Sequence, residues 1–188
     1  MNFPVKPPPS APSRHGFTGA DVLRMQEAGL LIEDGKFELI DGDIVDMPSE
    51  GETHLGLMIA LNRFLVRAVP DEVAVAPDRT LRLAEKDWPE PDFYLFPASM
   101  KPAAVRGTDL LLLIEVSDST VSHDLKRKAA LYRQYGVREY WVVDVNAAVV
   151  HVHRLDGAWP ATPVPLTTAL TPSLIPGLSL RIADFLSV

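Results

Sequence analysis

The segment "DLLLLIEVS" (residues 109–117) constrains this chain more than any other. Leu110 to Ile114 are all aliphatic, which leaves the segment no polar face. Such a run reads as a strand covered on both sides, with further layers above and below it. The run then carries Glu115 into its own end. Alternate strand residues share a face, so Leu113, Glu115 and Ser117 point one way and Ile114 and Val116 the other. A lone carboxylate in apolar surroundings is costly unless a cation or hydrogen-bond donors meet it. Glu115 therefore either serves a site or pairs with an arginine or lysine at the surface.

The rest of the chain supplies the layers. Thr18 with Asp21 forms a capping-box pattern, and Gly29 a stop, for a helix near 19–28. "KFELIDGDIVDM" reads as a hairpin turning at Asp41-Gly42. Residues 51–69 space Leu55, Met58, Ile59, Asn62, Leu65, Val66 and Val69 as one helical stripe, ended before Pro70. Short strands are expected at 72–76, 80–84 and 92–96. Ser122 is the expected cap of a helix over 122–135 that Gly136 stops. Strands at 138–145 and 148–155 pair across Asn146-Ala147. The proline-rich C-terminal stretch is expected to wrap the surface. Residues 1–17, with Pro4, Pro7, Pro8, Pro9 and Pro12, read as a disordered tail, and 18–188 as a single domain. The fold class is α/β or α+β, a mixed sheet flanked by helices.

Asp92 is the natural companion of Glu115. It follows Pro91 at the start of a strand, where a missing N–H is tolerated. If strands 92–96 and 109–117 are neighbours, two carboxylates meet at one end of the sheet. Oxygen ligands of this kind suit Mg²⁺ or Mn²⁺. On a helical wheel drawn from Leu125, Lys128 falls inside the apolar arc, whereas Lys126 and Arg127 fall outside it. An ammonium held at the core edge could neutralise charge on a phosphoryl transition state. Asp124 needs no such role, because capping and an i,i+4 pair with Lys128 account for it. Tyr132, Tyr140 and Trp141 read as core or interface aromatics.

At these residues a resemblance enters. Pro-Asp on one strand, a glutamate on the next and a lysine nearby resemble the PD-(D/E)XK nuclease superfamily, with its restriction-endonuclease-like fold. More narrowly, "FELIDGDIVDMP", "PDFYLF", "IEVSDST", "DLKRKAALY" and "GVREYWVVD" are similar to the Uma-type family of short bacterial restriction-endonuclease-like proteins, formerly a domain of unknown function. The similarity spans roughly residues 36–155, and "IPGLSL" (175–180) matches the family's ending. The resemblance implies a metal-dependent phosphodiesterase acting on nucleic acid, with DNA the preferred substrate. It places Asp92 and Glu115 on Mg²⁺ or Mn²⁺. Ser117 stands where the superfamily has lysine, and Lys128 takes the place the narrower family uses instead. Glu38 matches a recurrent family glutamate, and His54 a family histidine.

Charge and composition set the alternatives. The formal net charge is −7, but the acidity is concentrated in residues 18–52. The helix 122–135 carries Lys126, Arg127 and Arg133, which are candidates for phosphate contact. The chain has no cysteine, which excludes thiolate metal sites and thiol nucleophiles. No apolar run is long enough to span a bilayer, and a cytoplasmic location is the default. A homodimer is expected only by analogy with nucleases that cut both strands. Two other readings compete. One is a catalytically inactive nuclease-fold module that binds nucleic acid or a protein partner, which Ser117 favours. The other is a non-nuclease metal hydrolase, which would need His151 and His153 beside the carboxylates.

Overall fold

The computed structural model describes residues 15–31, 36–49, 51–157, 159 and 163–186. Of the tail 1–17, expected to be disordered, residues 1–14 lie outside the described residues, and Phe17 N–H donates to the Gly42 carbonyl at 2.8 Å.

The chain begins with α1 (Gly19–Glu27), which has the reciprocal Thr18–Asp21 capping box. Strands β1 (Phe37–Ile40) and β2 (Asp43–Asp46) form the expected hairpin as a separate two-stranded sheet. Its turn places both Asp41 and Gly42 at positive φ, 54° and 76°, as a type I′ turn requires. Next come α2 (Glu52–Ala68), β3 (Val73–Pro77), β4 (Phe93–Pro97) and β5 (Leu112–Ser117). A composite helix follows: α3 (Val121–His123), a π-helical turn (Asp124–Lys128) and α4 (Ala129–Gln134). Strands β6 (Glu139–Asp144), β7 (Val149–Arg154) and β8 (Pro163–Pro165) complete a six-stranded sheet in the order β3-β4-β5-β6-β7-β8. Only the β5–β6 pair is parallel, and the composite helix is its crossover.

All six residues of β5 are buried, because the sheet is covered on both faces. Phe93, Leu95, Leu112, Ile114, Trp141 and Val143 pack on the α2 side, and Tyr94, Leu113, Tyr140 and Val142 on the α4 side. Among the described residues no helix is long and apolar enough to cross a membrane.

Four sequence expectations fail. The buried row of α2 is His54, Leu57, Leu61 and Leu65, while Leu55, Ile59 and Val66 of the expected stripe face outward. The helix carries two apolar stripes, and periodicity alone cannot say which one meets the sheet. Residues 80–84 are not a sheet strand. They fold back on 87–89, with Leu81 N–H donating to the Pro89 carbonyl (2.8 Å) and Leu83 N–H to that of Asp87 (3.0 Å). Ser122 is not the helix cap, because the helix starts after Thr120. The C-terminal stretch does not merely wrap the surface. Leu166, Leu170, Ile175, Leu178, Leu180 and Ile182 belong to the core on the α2 side.

Candidate active site

The site grows from the end of the β4–β5 pair. Their register sets Phe93 opposite Ile114, so Asp92 and Glu115 come next in line. Main-chain pairing stops there, and a side chain continues it: Val116 N–H donates to Asp92 Oδ2 at 2.6 Å. His54 Nε2 lies 3.3 Å from the same oxygen. Asp92 N–H points to Glu115 Oε2 at 3.4 Å. Both side-chain contacts of Asp92 thus fall on Oδ2, leaving Oδ1 uncommitted to them.

Glu115 projects toward the composite helix, as strand alternation requires. Its Oε1 accepts from Tyr132 Oη at 2.9 Å and lies 2.9 Å from Lys128 Nζ. Lys128 is 1% exposed. Its ammonium also sits 2.8 Å from Glu38 Oε1 and 3.7 Å from Asp124 Oδ1. The π-helical turn brings it there. The Ala129 N–H reaches back five residues to the Asp124 carbonyl, and Tyr140 Oη donates to that carbonyl as well (3.2 Å). A widened turn of this kind inserts one residue into the helical register and commonly marks a functional position. The sequence wheel left Lys128 at the core edge; the folded chain encloses it completely.

Glu38 reaches the site because the β1–β2 hairpin docks on the segment leading into β4. Leu39 exchanges two main-chain hydrogen bonds with Trp88, and Glu90 N–H donates to Glu38 Oε1 at 2.7 Å. Ser117 is buried and donates its hydroxyl to Asp124 Oδ2, which also accepts from Thr120 Oγ1 (2.7 Å). The serine thus meets the lysine's environment through Asp124.

Asp92, Glu115, Lys128, Glu38, His54 and Ser117 therefore gather at one place. Asp92, Glu115, Lys128, Asp124 and His54 help line a cavity of about 90 Å³. The candidate phosphate contacts do not gather there. Arg127 is tied to the hairpin, donating to the Ile40 carbonyl (2.7 Å) and to Asp43 Oδ2 (2.8 Å). Lys126 and Arg133 line a separate groove beside Trp159. Sequence reasoning missed Asp124 and Tyr132 as members of the site. Their spacing was a usable signal, since 124, 128 and 132 are successive i,i+4 neighbours. The His151–His153 pair lies away from the carboxylates: His153 is buried against Tyr140 and Trp159, which removes support for the metal-hydrolase alternative.

The electrostatics are lopsided. Burial works against charge on Glu38, but Lys128, His123 and the Glu90 N–H outweigh it and hold its carboxyl below the usual range. Burial pushes the Glu115 carboxyl well up. Lys128 opposes that shift, while Asp92, Asp124 and Glu38 reinforce it. Burial would lower the Lys128 ammonium, yet Glu115, Glu38 and Asp124 raise it above the ordinary lysine value. Glu38 Oε2 and Asp124 Oδ1 are buried without a hydrogen-bond partner among the described residues. One ammonium thus faces three carboxyl groups, with Asp92 beside the cluster on the far side of Glu115.

Among the described residues no group of three or more His, Asp or Glu side chains is arranged as a ready metal cage, because Glu38, Asp124 and Glu115 converge on Lys128. The donor set nevertheless fits a divalent cation. Asp92 and Glu115 offer hard oxygens at the cavity, and Mg²⁺ is commonly held by one or two carboxylates plus water and substrate phosphate.

The profile of the Uma2 family, described as "Putative restriction endonuclease", matches residues 21–183. The fold is similar to a crystal structure from Anabaena variabilis ATCC 29413 described as "a putative nuclease belonging to DUF820". The TM-score is 0.67 at 17% sequence identity, over 87% of this chain and 97% of that one. A search of curated proteins finds no match.

Proposed function

From the premise that the chain belongs to the Uma2 family of restriction-endonuclease-like proteins, we propose that its cavity is the active site of a metal-dependent nuclease of the PD-(D/E)XK kind, hydrolysing phosphodiester bonds, with DNA as substrate. The observation that carries this reading is the convergence of Asp92, Glu115 and Lys128 at one sheet end. Asp92 and Glu115 would hold Mg²⁺ or Mn²⁺. Such an ion, when bound, supplies a Lewis acid for the phosphate and an acidified water.

The chain's own residues do the positioning. The Val116 N–H and His54 fix Asp92 by one oxygen. Tyr132 donates to Glu115 and sets the plane of its carboxyl group. Lys128 supplies the positive charge that Ser117 cannot, and it balances charge built up on a phosphoryl group. Glu38 and Asp124 hold that ammonium in place. Ser117 and Thr120 in turn hold Asp124.

The alternative is an inactive module that binds nucleic acid without cutting it, which Ser117 favours. Incubation of end-labelled duplex DNA and RNA with Mn²⁺ separates the two. Wild-type protein should cleave, and Asp92→Ala and Lys128→Met should not, with circular dichroism checking that both variants fold. Retention of labelled DNA with no cleavage under any divalent cation would support the inactive module. Cleavage that survives Asp92→Ala would remove the site from the reaction.

A further inference from the structure

The outer face of α2 is left over from the fold. Leu55, Ile59 and Val66 are 54%, 62% and 59% exposed, and their spacing places them on one side of the helix. Isolated exposed apolar side chains are ordinary, but three on one stripe form a patch that calls for a partner. The patch continues onto the C-terminal segment, where Phe185 packs on Phe64 (ring centroids 5.1 Å apart) and Leu186 is exposed.

Charge identifies the partner. Glu52 is exposed at the start of α2, and Arg63 and Arg67 are exposed toward its end. None of the three forms an ion pair among the described residues. The face thus begins with the negative Glu52, continues through Leu55 and Ile59, and ends with Val66 between the positive Arg63 and Arg67. A second copy of the same face, turned antiparallel, complements it: Glu52 of each copy meets Arg67 of the other, and Leu55 and Ile59 of the two copies meet between these pairs. A parallel copy would set like charges together. A lipid surface would have to accept Glu52 beside the arginines. Shape agrees with the antiparallel match. Gly56 leaves an open notch, since a Cβ there would meet nothing within 4 Å. Gly56 and Ala60 together line a groove that runs to Phe64 and Phe185, into which Leu55 of the other copy can insert. A helix of this length presents a face of roughly 25 Å.

We propose that α2 is the contact of a twofold homodimer, with the two helices antiparallel and Ile59 and Ala60 at the axis. The absence of cysteine makes this directly testable. Sedimentation velocity should give twice the 20.7 kDa of one chain. Ile59→Asp should yield a folded monomer by circular dichroism, since the side chain is 62% exposed in one chain, and its melting temperature should lose the concentration dependence that association gives the wild type. Arg67→Glu should weaken association about tenfold, and Glu52→Arg added to it on the same chain should restore it. Ala60→Cys should form a disulfide-linked dimer on mild oxidation, whereas Thr168→Cys, exposed on the far segment, should not. A wild-type monomer at all concentrations would overturn the proposal. So would a dimer indifferent to Ile59→Asp, or a monomer whose α2 face binds anionic vesicles instead.

Discussion

Two buried carboxylates at opposite ends of the sheet's centre show different uses of charge. Glu139, on β6, is 1% exposed. Its Oε1 accepts from Trp141 Nε1 (2.8 Å) and pairs with Arg154 (3.0 Å), and its Oε2 accepts from Ser173 N–H (2.7 Å). Both oxygens are satisfied, and the bonds fasten the C-terminal segment to the sheet. Glu115, on β5, shares a single ammonium with two other carboxyl groups, Glu38 and Asp124, each of which keeps a buried oxygen without a hydrogen-bond partner among the described residues. Burying a carboxylate for structure requires completing its hydrogen bonds. A carboxyl group left incomplete at a cavity wall, as Asp124 is, makes that cavity a candidate ligand site.

The sharpest way to break this contrast is activity. Asp92→Asn should lower phosphodiester cleavage about a thousandfold, of the order seen when one electrostatic contact is removed from an active site. Glu139→Gln should leave the rate per folded molecule unchanged, and both are read with one labelled duplex. Stability should divide the same way. Lys128→Met strands three buried carboxyl groups and should cost about 3–5 kcal/mol in urea unfolding. Arg154→Met, whose side chain is 40% exposed, should cost about 1 kcal/mol.

His153 sharpens the contrast further. Its ring nitrogens are buried without hydrogen bonds among the described residues, and it forms no ion pair with a carboxylate among them, although Lys126 and Arg133 line the same groove. Burial, aided by His151, lowers its pKa to about 4. The folded protein therefore favours the neutral ring. That stability is complete above the unfolded value of 6.5 and is lost as pH falls toward 4. Thermal melts across this range should show the loss, and His153→Phe should flatten it. An unsatisfied buried group alone thus marks no site, and what distinguishes the Glu115 cluster is its excess of one sign. The smallest effect belongs to Arg127→Ala. It frees the β1–β2 hairpin from one partly exposed anchor and should cost roughly 0.5–1 kcal/mol in the same urea titration.

Much of this was legible in the sequence because the relevant signals are local. Strand alternation fixed the side of Glu115, Pro91 marked the start of β4, and Asp41-Gly42 named its own turn. What could not be read depends on choices between equivalent local patterns. The apolar residues of α2 admit two faces, and only the sheet decides that Leu57 and Leu61 lie inside while Leu55 and Ile59 lie outside. A regular helical wheel cannot foresee the π-helical turn that buries Lys128 and draws Asp124 in beside it. The segment 80–84 alternates like a strand, but its hydrogen bonds are taken by the chain a few residues on, and the prolines of the C-terminal stretch concealed the six aliphatic residues that close the core.

Calorimetric titration of Mn²⁺ into the protein tests most directly whether the incomplete carboxylate cluster exists for a cation. Because burial raises the Glu115 carboxyl, protons compete with a cation for it. Binding to wild type should therefore strengthen as pH rises, with proton release visible as a dependence on buffer ionisation heat. Asp92→Asn should abolish binding without lowering the melting temperature, since it removes one of the repelling charges. Equal binding to wild type and Asp92→Asn, or binding with no proton released at any pH, would contradict the account.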